Sequence, residues 1–202
     1  MKIGAVITAA GKSLRMGSFK PLLKIGDLSV AEHVIKNFQA AGIKDIVLVT
    51  GYNAEELENS LRCLDLVFLR NDMYEYNKMF DSVKIGLQYF KDTCEKILLT
   101  PVDVPLFTAD IVKALLECKA NVGIPLYREK TGHPVILDNT AINKILMYIG
   151  SGGLRGAITN LSLKIEYIKT RDKGILYDVD TQEDYTNILK LYAQRSGKRK
   201  GY

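Results

Sequence analysis

The sequence holds few cysteines. Cys63, Cys94 and Cys118 are odd in number and far apart, and no C-x-x-C pair occurs. That excludes a disulfide framework, argues against structural zinc, and leaves buried reduced thiols as the expectation. There is no run of 18 apolar residues, so no membrane-spanning helix is expected. A separate hydrophobic leader is lacking too, because the N-terminus enters a strand at once; a cytoplasmic protein is expected. Excess positive charge is also missing from the body of the chain. The balance is 28 basic against 23 acidic residues, or +5, but Arg195, Lys198, Arg199 and Lys200 crowd the last eight positions. Without those four it falls to 24 against 23, or +1, which leaves a nucleic-acid partner unsupported. The expected layout is a single domain over 1–193, followed by a basic, solvated, disordered tail over 194–202.

What is present is an ordinary globular composition, 47% apolar and 25% charged over 202 residues, enough for one α/β domain with a sizeable core. The chain is organised around its opening stretch. Ile3 to Thr8 reads as a short buried strand, a compact apolar run rich in β-branched residues. Ala9-Ala10-Gly11 follows as a small-residue turn, and then come the cations Lys12, Arg15 and Lys20. Small residues let backbone N–H groups approach an anion, and the cations neutralise it, so the expected ligand is a nucleotide phosphate. Two familiar phosphate loops do not fit. A Walker A loop needs glycine where Val6 stands, and G-x-G-x-x-G fails at Ala9 and Leu14.

Downstream, Val30, Val34, Ile35, Phe38 and Ala41 recur at helical spacing before Gly42. Strands are expected at Ile46–Thr50, Leu64–Leu69 and Lys96–Thr100, with a helix over about 80–90 between the last two. This alternation implies right-handed βαβ units and a mostly parallel, three-layer Rossmann-like sheet. After Pro101, Thr108 is expected to cap a helix carrying Ile111, Val112, Leu115 and Leu116. Two short strands joined by Arg128-Glu129-Lys130 follow over 122–137, then a helix over 141–148 and a flexible run over 150–153. A strand over 163–168 and a helix from Thr181 to about Ala193 complete the chain.

Asp103 lies just past a buried strand, between two prolines that hold the chain extended. It is well placed for a divalent ion shared with nucleotide phosphates, since Mg²⁺ favours one or two carboxylates plus phosphate oxygens. The bland alternative, a cap for the next helix, is already supplied by Thr108. Arginine can grip phosphate oxygens bidentately and lysine acts as a point charge, which suits Arg15 and Lys20 to an anion, with Lys12 in support. His33 sits mid-helix and reads as structural. No Ser/His/Asp or Cys/His nucleophile set is evident.

The run AAG-K-S-L-R-M-G-S-F-K-P-L-L resembles the opening loop of the MobA-like nucleotidyltransferases, roughly L-A-A-G-x-S-x-R-M-G-x-x-K-x-L-L. Thr8 stands where leucine is usual. The resemblance implies the nucleotide-diphospho-sugar transferase type of sheet, with nucleotide over Ala9, Ala10, Gly11 and Lys12 and with Arg15 and Lys20 as catalytic cations. Val102 to Pro105 fits the family's D-x-P motif, supporting Asp103 as metal ligand. DVDTQED, residues 178 to 184, resembles D-[IV]-D-T-P-E-D, which carries a second metal contact onto Asp180; the alternative is that Asp178 and Asp180 only order a turn. DSVKIGL, residues 81 to 87, is similar to the segment that meets sugar and base, pointing to Ser82. The preceding Tyr76-Asn77-Lys78-Met79-Phe80 replaces a glycine-rich approach. GHPVIL and SGGLRGA resemble the molybdopterin cytidylyltransferase branch and imply His133 and Arg155 on the acceptor side, although the usual second loop is G-D-x-G-A-R. The implied reaction transfers CMP from CTP to a phosphorylated acceptor, molybdopterin, with Mg²⁺ (or Mn²⁺) as cofactor and a molybdenum enzyme as recipient of the product. The alternatives are a sugar- or alcohol-phosphate nucleotidyltransferase and a non-catalytic molybdenum-cofactor chaperone.

Overall fold

The computed structural model describes residues 2–12, 16–76 and 78–199. In chain order come β1 (Ile3–Ala9), the hairpin β2 (Lys24–Ile25) and β3 (Leu28–Ser29), α1 (Val30–Ala40), β4 (Asp45–Thr50) and α2 (Ala54–Leu61). Then follow β5 (Val67–Arg70), α3 (Met79–Phe90), β6 (Lys96–Pro101) and α4 (Ala109–Leu116). The second half contains β7 (Val122–Tyr127), β8 (Lys130–Thr131), β9 (Val135–Asp138), α5 (Asn139–Met147), α6 (Gly153–Asn160), β10 (Ile165–Lys169) and α7 (Gln182–Arg199). No helix among the described residues is long and apolar enough to cross a membrane.

The main sheet has the order β10-β7-β9-β6-β1-β4-β5, with β8 paired to β7. β1 lies at its heart, parallel to both β4 and β6. Its residues read as a near-continuous apolar run because both faces are covered by helices. Alternate side chains divide the core. Ala5, Ile7, Ile46, Leu48 and Leu98 pack with α1, α2 and α4 on one face. Val6, Val47, Val49, Ile97 and Leu99 pack with α3, α5 and α6 on the other. The expected three-layer, mostly parallel architecture is the observed one. Approach of α3 to β1 is close: a Cβ on Gly86 would sit 2.3 Å from Val6 Cγ1, so alanine there would force strand and helix apart.

β9 breaks the parallel rule. It runs antiparallel to β6 and β7, with Leu99 opposite Val135. Its beginning therefore sits beside the carboxyl end of β6, and Gly132-His133-Pro134 is delivered to the edge where β1, β4 and β5 also end.

α1 shows how local rules cooperate. Ser29 and Glu32 form a reciprocal capping box, with Glu32 N–H donating to Ser29 Oγ at 3.2 Å and Ser29 N–H to Glu32 at 2.6 Å. Such a cap contributes about 1 kcal/mol. Beyond it, Val34, Ile35 and Phe38 are wholly buried, each contributing about 1.5–3 kcal/mol.

Several expectations are corrected. Thr108 makes no side-chain cap; its N–H donates to Asp172 at 3.0 Å instead. The third strand covers Val67–Arg70, not Leu64–Leu69, because Leu64 and Leu66 pack against the core from a turn. The glycine run at 150–153 leads straight into α6, a helix absent from the sequence reading. Cys63 is exposed, whereas Cys94 and Cys118 are buried as expected. α7 continues to Arg199, past the expected end near Ala193. Ile188 and Leu191 fasten it onto Met16, Ile25 and Leu106 in a third apolar cluster. Lys198 and Arg199 lie in that helix, and Lys200 falls outside the described residues. Thr181 and Asp184 do cap α7, with Asp184 N–H donating to Thr181 Oγ1 at 3.2 Å. His33 is structural: it is buried, with Nε2 at 2.8 Å from the carbonyl of Ile25.

Candidate active site

The carboxyl ends of the parallel strands are stitched into one rim. Val102 N–H donates to Thr8, Tyr52 N–H to Ala10, and Asn71 N–H to Thr50, at 3.0, 3.2 and 2.8 Å. Above this rim opens a cleft of about 180 Å³ lined by Ala9, Ala10, Gly11, Lys20, Ser82 and Asp103, with Asn71, Tyr74 and Lys78 opposite the loop. An open α/β sheet places its ligands at this edge. A Cβ on Gly11 would meet nothing within 4 Å, so the backbone there faces open space in which an anion can sit.

Lys20 is the better shielded cation of a cleft that Lys78 also lines. Pro21 at the start of a 3₁₀ turn sets its backbone, and its side chain is only 12% exposed. Its Nζ donates to Asp180 Oδ1 at 2.6 Å, across 160 residues of chain. Asp103 is the most perturbed acid. Burial pushes its carboxyl up to about 6, against the opposing pull of Lys20; the charges of Asp178 and Asp180 push in the same direction as burial. Asp178 is raised as well, by burial first and by Asp180 second. Lys20 and Asp103 line the cleft, and Asp178 and Asp180 lie close enough to interact with both, an excess of negative charge that suits a divalent cation. Among the described residues no three His, Cys, Asp or Glu side chains form a complete metal cage. Mg²⁺ or Mn²⁺ favours one or two carboxylates plus phosphate oxygens, and Asp103 and Asp180 are the residues that could hold such an ion.

A second cavity, of about 620 Å³, adjoins the first and shares Thr8, Met79 and Pro101 with it. Phe80, Val83, Leu99, Ile124, Ile158 and Tyr167 give it apolar walls. Its polar groups include His133, on the strand-leading segment before β9, and Arg155, in the first turn of α6, besides Thr8, Thr131 and Thr159. Burial pushes His133 down to about 4, so its imidazole is neutral near pH 7, and its buried Nδ1 has no hydrogen-bond partner in the protein. An unpaired buried nitrogen is costly unless a ligand satisfies it.

The structure therefore brings Ala9, Ala10, Gly11, Lys20, Ser82 and Asp103 into one cleft, sets Asp180 against Lys20, and places His133 and Arg155 in the adjoining cavity. Lys12 does not line the cleft; its Nζ pairs with Glu75 at 2.8 Å. Arg15 lies outside the described residues. Asn71 went unnoticed in the sequence, lost in a polar stretch after β5. It is buried and donates from Nδ2 to Ser82 Oγ at 3.0 Å, forming a polar floor. Its signal was its place, the first polar residue past the carboxyl end of a strand.

The chain is 27% identical over 197 residues to the molybdenum cofactor cytidylyltransferase of Escherichia coli K12, covering 95% of this chain and 98% of that protein. Among solved structures, a nucleotidyl transferase from Methanothermobacter superposes with a TM-score of 0.84 at 20% identity, over 96% of this chain and 99% of its own. Rv0371C of Mycobacterium tuberculosis H37Rv, in a complex with manganese, superposes with a TM-score of 0.76 at 20% identity, over 94% of this chain and 99% of its own. Residues 5–165 match the MobA-like NTP transferase domain, and the chain belongs to that family of nucleotidyltransferases.

Proposed function

We propose that the protein transfers CMP from CTP to molybdopterin, the phosphorylated precursor of a molybdenum cofactor, and releases pyrophosphate. The observation that carries this reading is the junction of a cleft holding Lys20, Asp103 and Asp180 with a larger, mostly apolar cavity holding His133 and Arg155. The nucleotide lies over residues 9–20, with Ser82 beneath its sugar and base. Asp103 and Asp180 would hold the divalent cation, which would supply neutralisation of phosphate charge. An acceptor phosphate oxygen, held by Arg155, attacks the α-phosphorus in line as the bond to pyrophosphate breaks. Lys20, together with Arg15, offsets the charge that builds on the α-phosphate and the leaving group. Such chemistry rests on positioning and charge compensation and needs no protein nucleophile. The Lys20–Asp180 pair compensates both charges; a bound phosphate would pair with the lysine, and Asp180 would then be available to hold a divalent cation.

One observation favours a second reading, transfer to a sugar or alcohol phosphate: Ser151-Gly152-Gly153-Leu154-Arg155 departs from the loop of the molybdopterin branch. Pyrophosphate release with Mg²⁺ separates the two, using CTP, GTP, UTP and ATP against molybdopterin and a panel of sugar phosphates. Release with CTP and molybdopterin, lost in Asp103→Ala, is the expected result. Release only with a sugar or alcohol phosphate establishes the second reading. Silence with every pair, alongside tight nucleotide or cofactor binding, overturns both in favour of a non-catalytic chaperone. A molybdenum enzyme as recipient of the product, and a cytoplasmic setting, accompany the main reading.

A further inference from the structure

Asp103 and Asp180 sit on segments 77 residues apart, and neither belongs to a regular element: Asp103 follows β6, and Asp180 precedes α7. The charge of Asp180, whose side chain is 37% exposed, is held by Lys20, but the backbone segments that carry the two acids must also be held to each other. Val179 N–H donates to the carbonyl of Asp103 at 2.9 Å. Val179 and Leu106 share an apolar cluster, and further polar ties run through Asp172 and one guanidinium. Arg195, on α7, donates from Nη1 to the carbonyl of Leu106 at 2.6 Å and from Nη2 to Asp172 Oδ1. Asp172 in turn accepts from Thr108 N–H at 3.0 Å and from Gly174 N–H at 2.8 Å. The approach is tight enough that a Cβ on Gly174 would lie 2.0 Å from the carbonyl oxygen of Leu106. Asp172 is 11% exposed and Arg195 32%, so this pair is shielded far better than an ordinary surface contact.

We infer that Arg195 is a positioning residue for the divalent-metal site, a staple that fixes the Asp103 loop against the segment carrying Asp180. It grips residue 106 directly and residue 108 through Asp172, three and five positions beyond Asp103. Its other hand holds the turn that leads to Asp180. The same turn reaches the acceptor side, since His133 N–H donates to the carbonyl of Ile175 at 3.0 Å. A lysine cannot replace it, because one ammonium cannot span a carbonyl and a carboxylate with the fixed geometry of the fork. This role rests on the proposed reading of Asp103 and Asp180 as metal ligands.

The test is calorimetric titration of the full-length protein with CTP, with and without Mg²⁺, well below the unfolding temperature. In the parent protein Mg²⁺ tightens CTP binding, and Asp103→Asn removes that gain. Arg195→Ala is expected to cut the Mg²⁺-dependent gain at least tenfold while leaving metal-free CTP affinity within twofold. Arg195→Lys should recover only a small part of the loss, and deletion of 198–202, which spares Arg195, none of the gain should be lost. A Mg²⁺ gain retained in Arg195→Ala, while Asp103→Asn abolishes it, overturns the staple and leaves the metal site standing. A gain indifferent to Asp103→Asn overturns the reading of the metal site itself. Should Arg195→Ala fail to fold, Asp172→Asn takes its place, with the same two outcomes.

Discussion

The two cavities differ in how the fold builds them. The smaller cleft is made by loops at the carboxyl ends of parallel strands, and its chemistry is ionic: Lys20 against Asp103, Asp178 and Asp180. The larger cavity is walled by apolar side chains from α3, α6 and the β9–β7–β10 half of the sheet, and its few polar groups are well separated in sequence. A site that must neutralise phosphate needs charges within a few ångströms of each other. A site that must seat a bulkier acceptor needs volume and a small number of orienting contacts. The family shares the first requirement, so the specificity of this chain is expected to reside in the second.

The largest effect should come from the ionic cleft. Lys20→Ala is expected to lower kcat by about 10²–10³, in line with the loss of one group that compensates transition-state charge. Thermal stability should change little; activity within a few-fold of the parent would remove Lys20 from catalysis.

A second contrast lies in titration. In metal-free protein Asp103 is raised from 3.8 to about 6 and His133 lowered from 6.5 to about 4, both chiefly by burial. The raised acid favours folding below pH 4, and that advantage disappears as pH rises through about 6. The depressed histidine acts oppositely, since the unfolded chain takes up more protons between about 4 and 6.5, so its contribution falls as pH drops. Each is worth up to about 3 kcal/mol, and together they largely cancel. Asp103→Asn in EDTA should therefore raise stability at pH 7 and make it increase with pH across that window, while His133→Gln should make it decrease. Denaturant titrations at pH 4.5 and 6.5 read the two slopes; parallel slopes in the two variants would show that the two environments do not differ as described.

Arg155→Ala tests the second cavity alone. The KM for acceptor should rise about tenfold, as expected for one lost charge-assisted contact, with the KM for CTP unchanged. A matched rise in both would merge the two sites into one. Lys12→Ala should have the smallest effect, a change in nucleotide affinity of no more than a few-fold. Its pair with Glu75 is 39% and 48% exposed, and such exposed pairs contribute little.

Much of this molecule was legible in the chain itself. The apolar strand Ile3–Thr8, the small-residue turn after it and the acid at Asp103 are local patterns, and local patterns follow from backbone sterics, periodicity and strand burial. They sufficed for the sheet type and pointed to a phosphate loop beside Lys20. Tertiary structure decided the rest, because the remaining features depend on residues remote in sequence. Nothing near Lys20 foretells Asp180, and nothing near Ser82 assigns Asn71 a buried partner. The reversal of β9 carries His133 to the same edge as Asp103. The glycine run at 150–153 looked like a loop, yet it starts a helix because α3 and α5 offer it an apolar face. Arg195 looked like part of a solvated basic end because charge alone is silent about what a side chain reaches. Only the packing of α7 against the β2–β3 hairpin and Leu106 places that guanidinium between the two halves of the site.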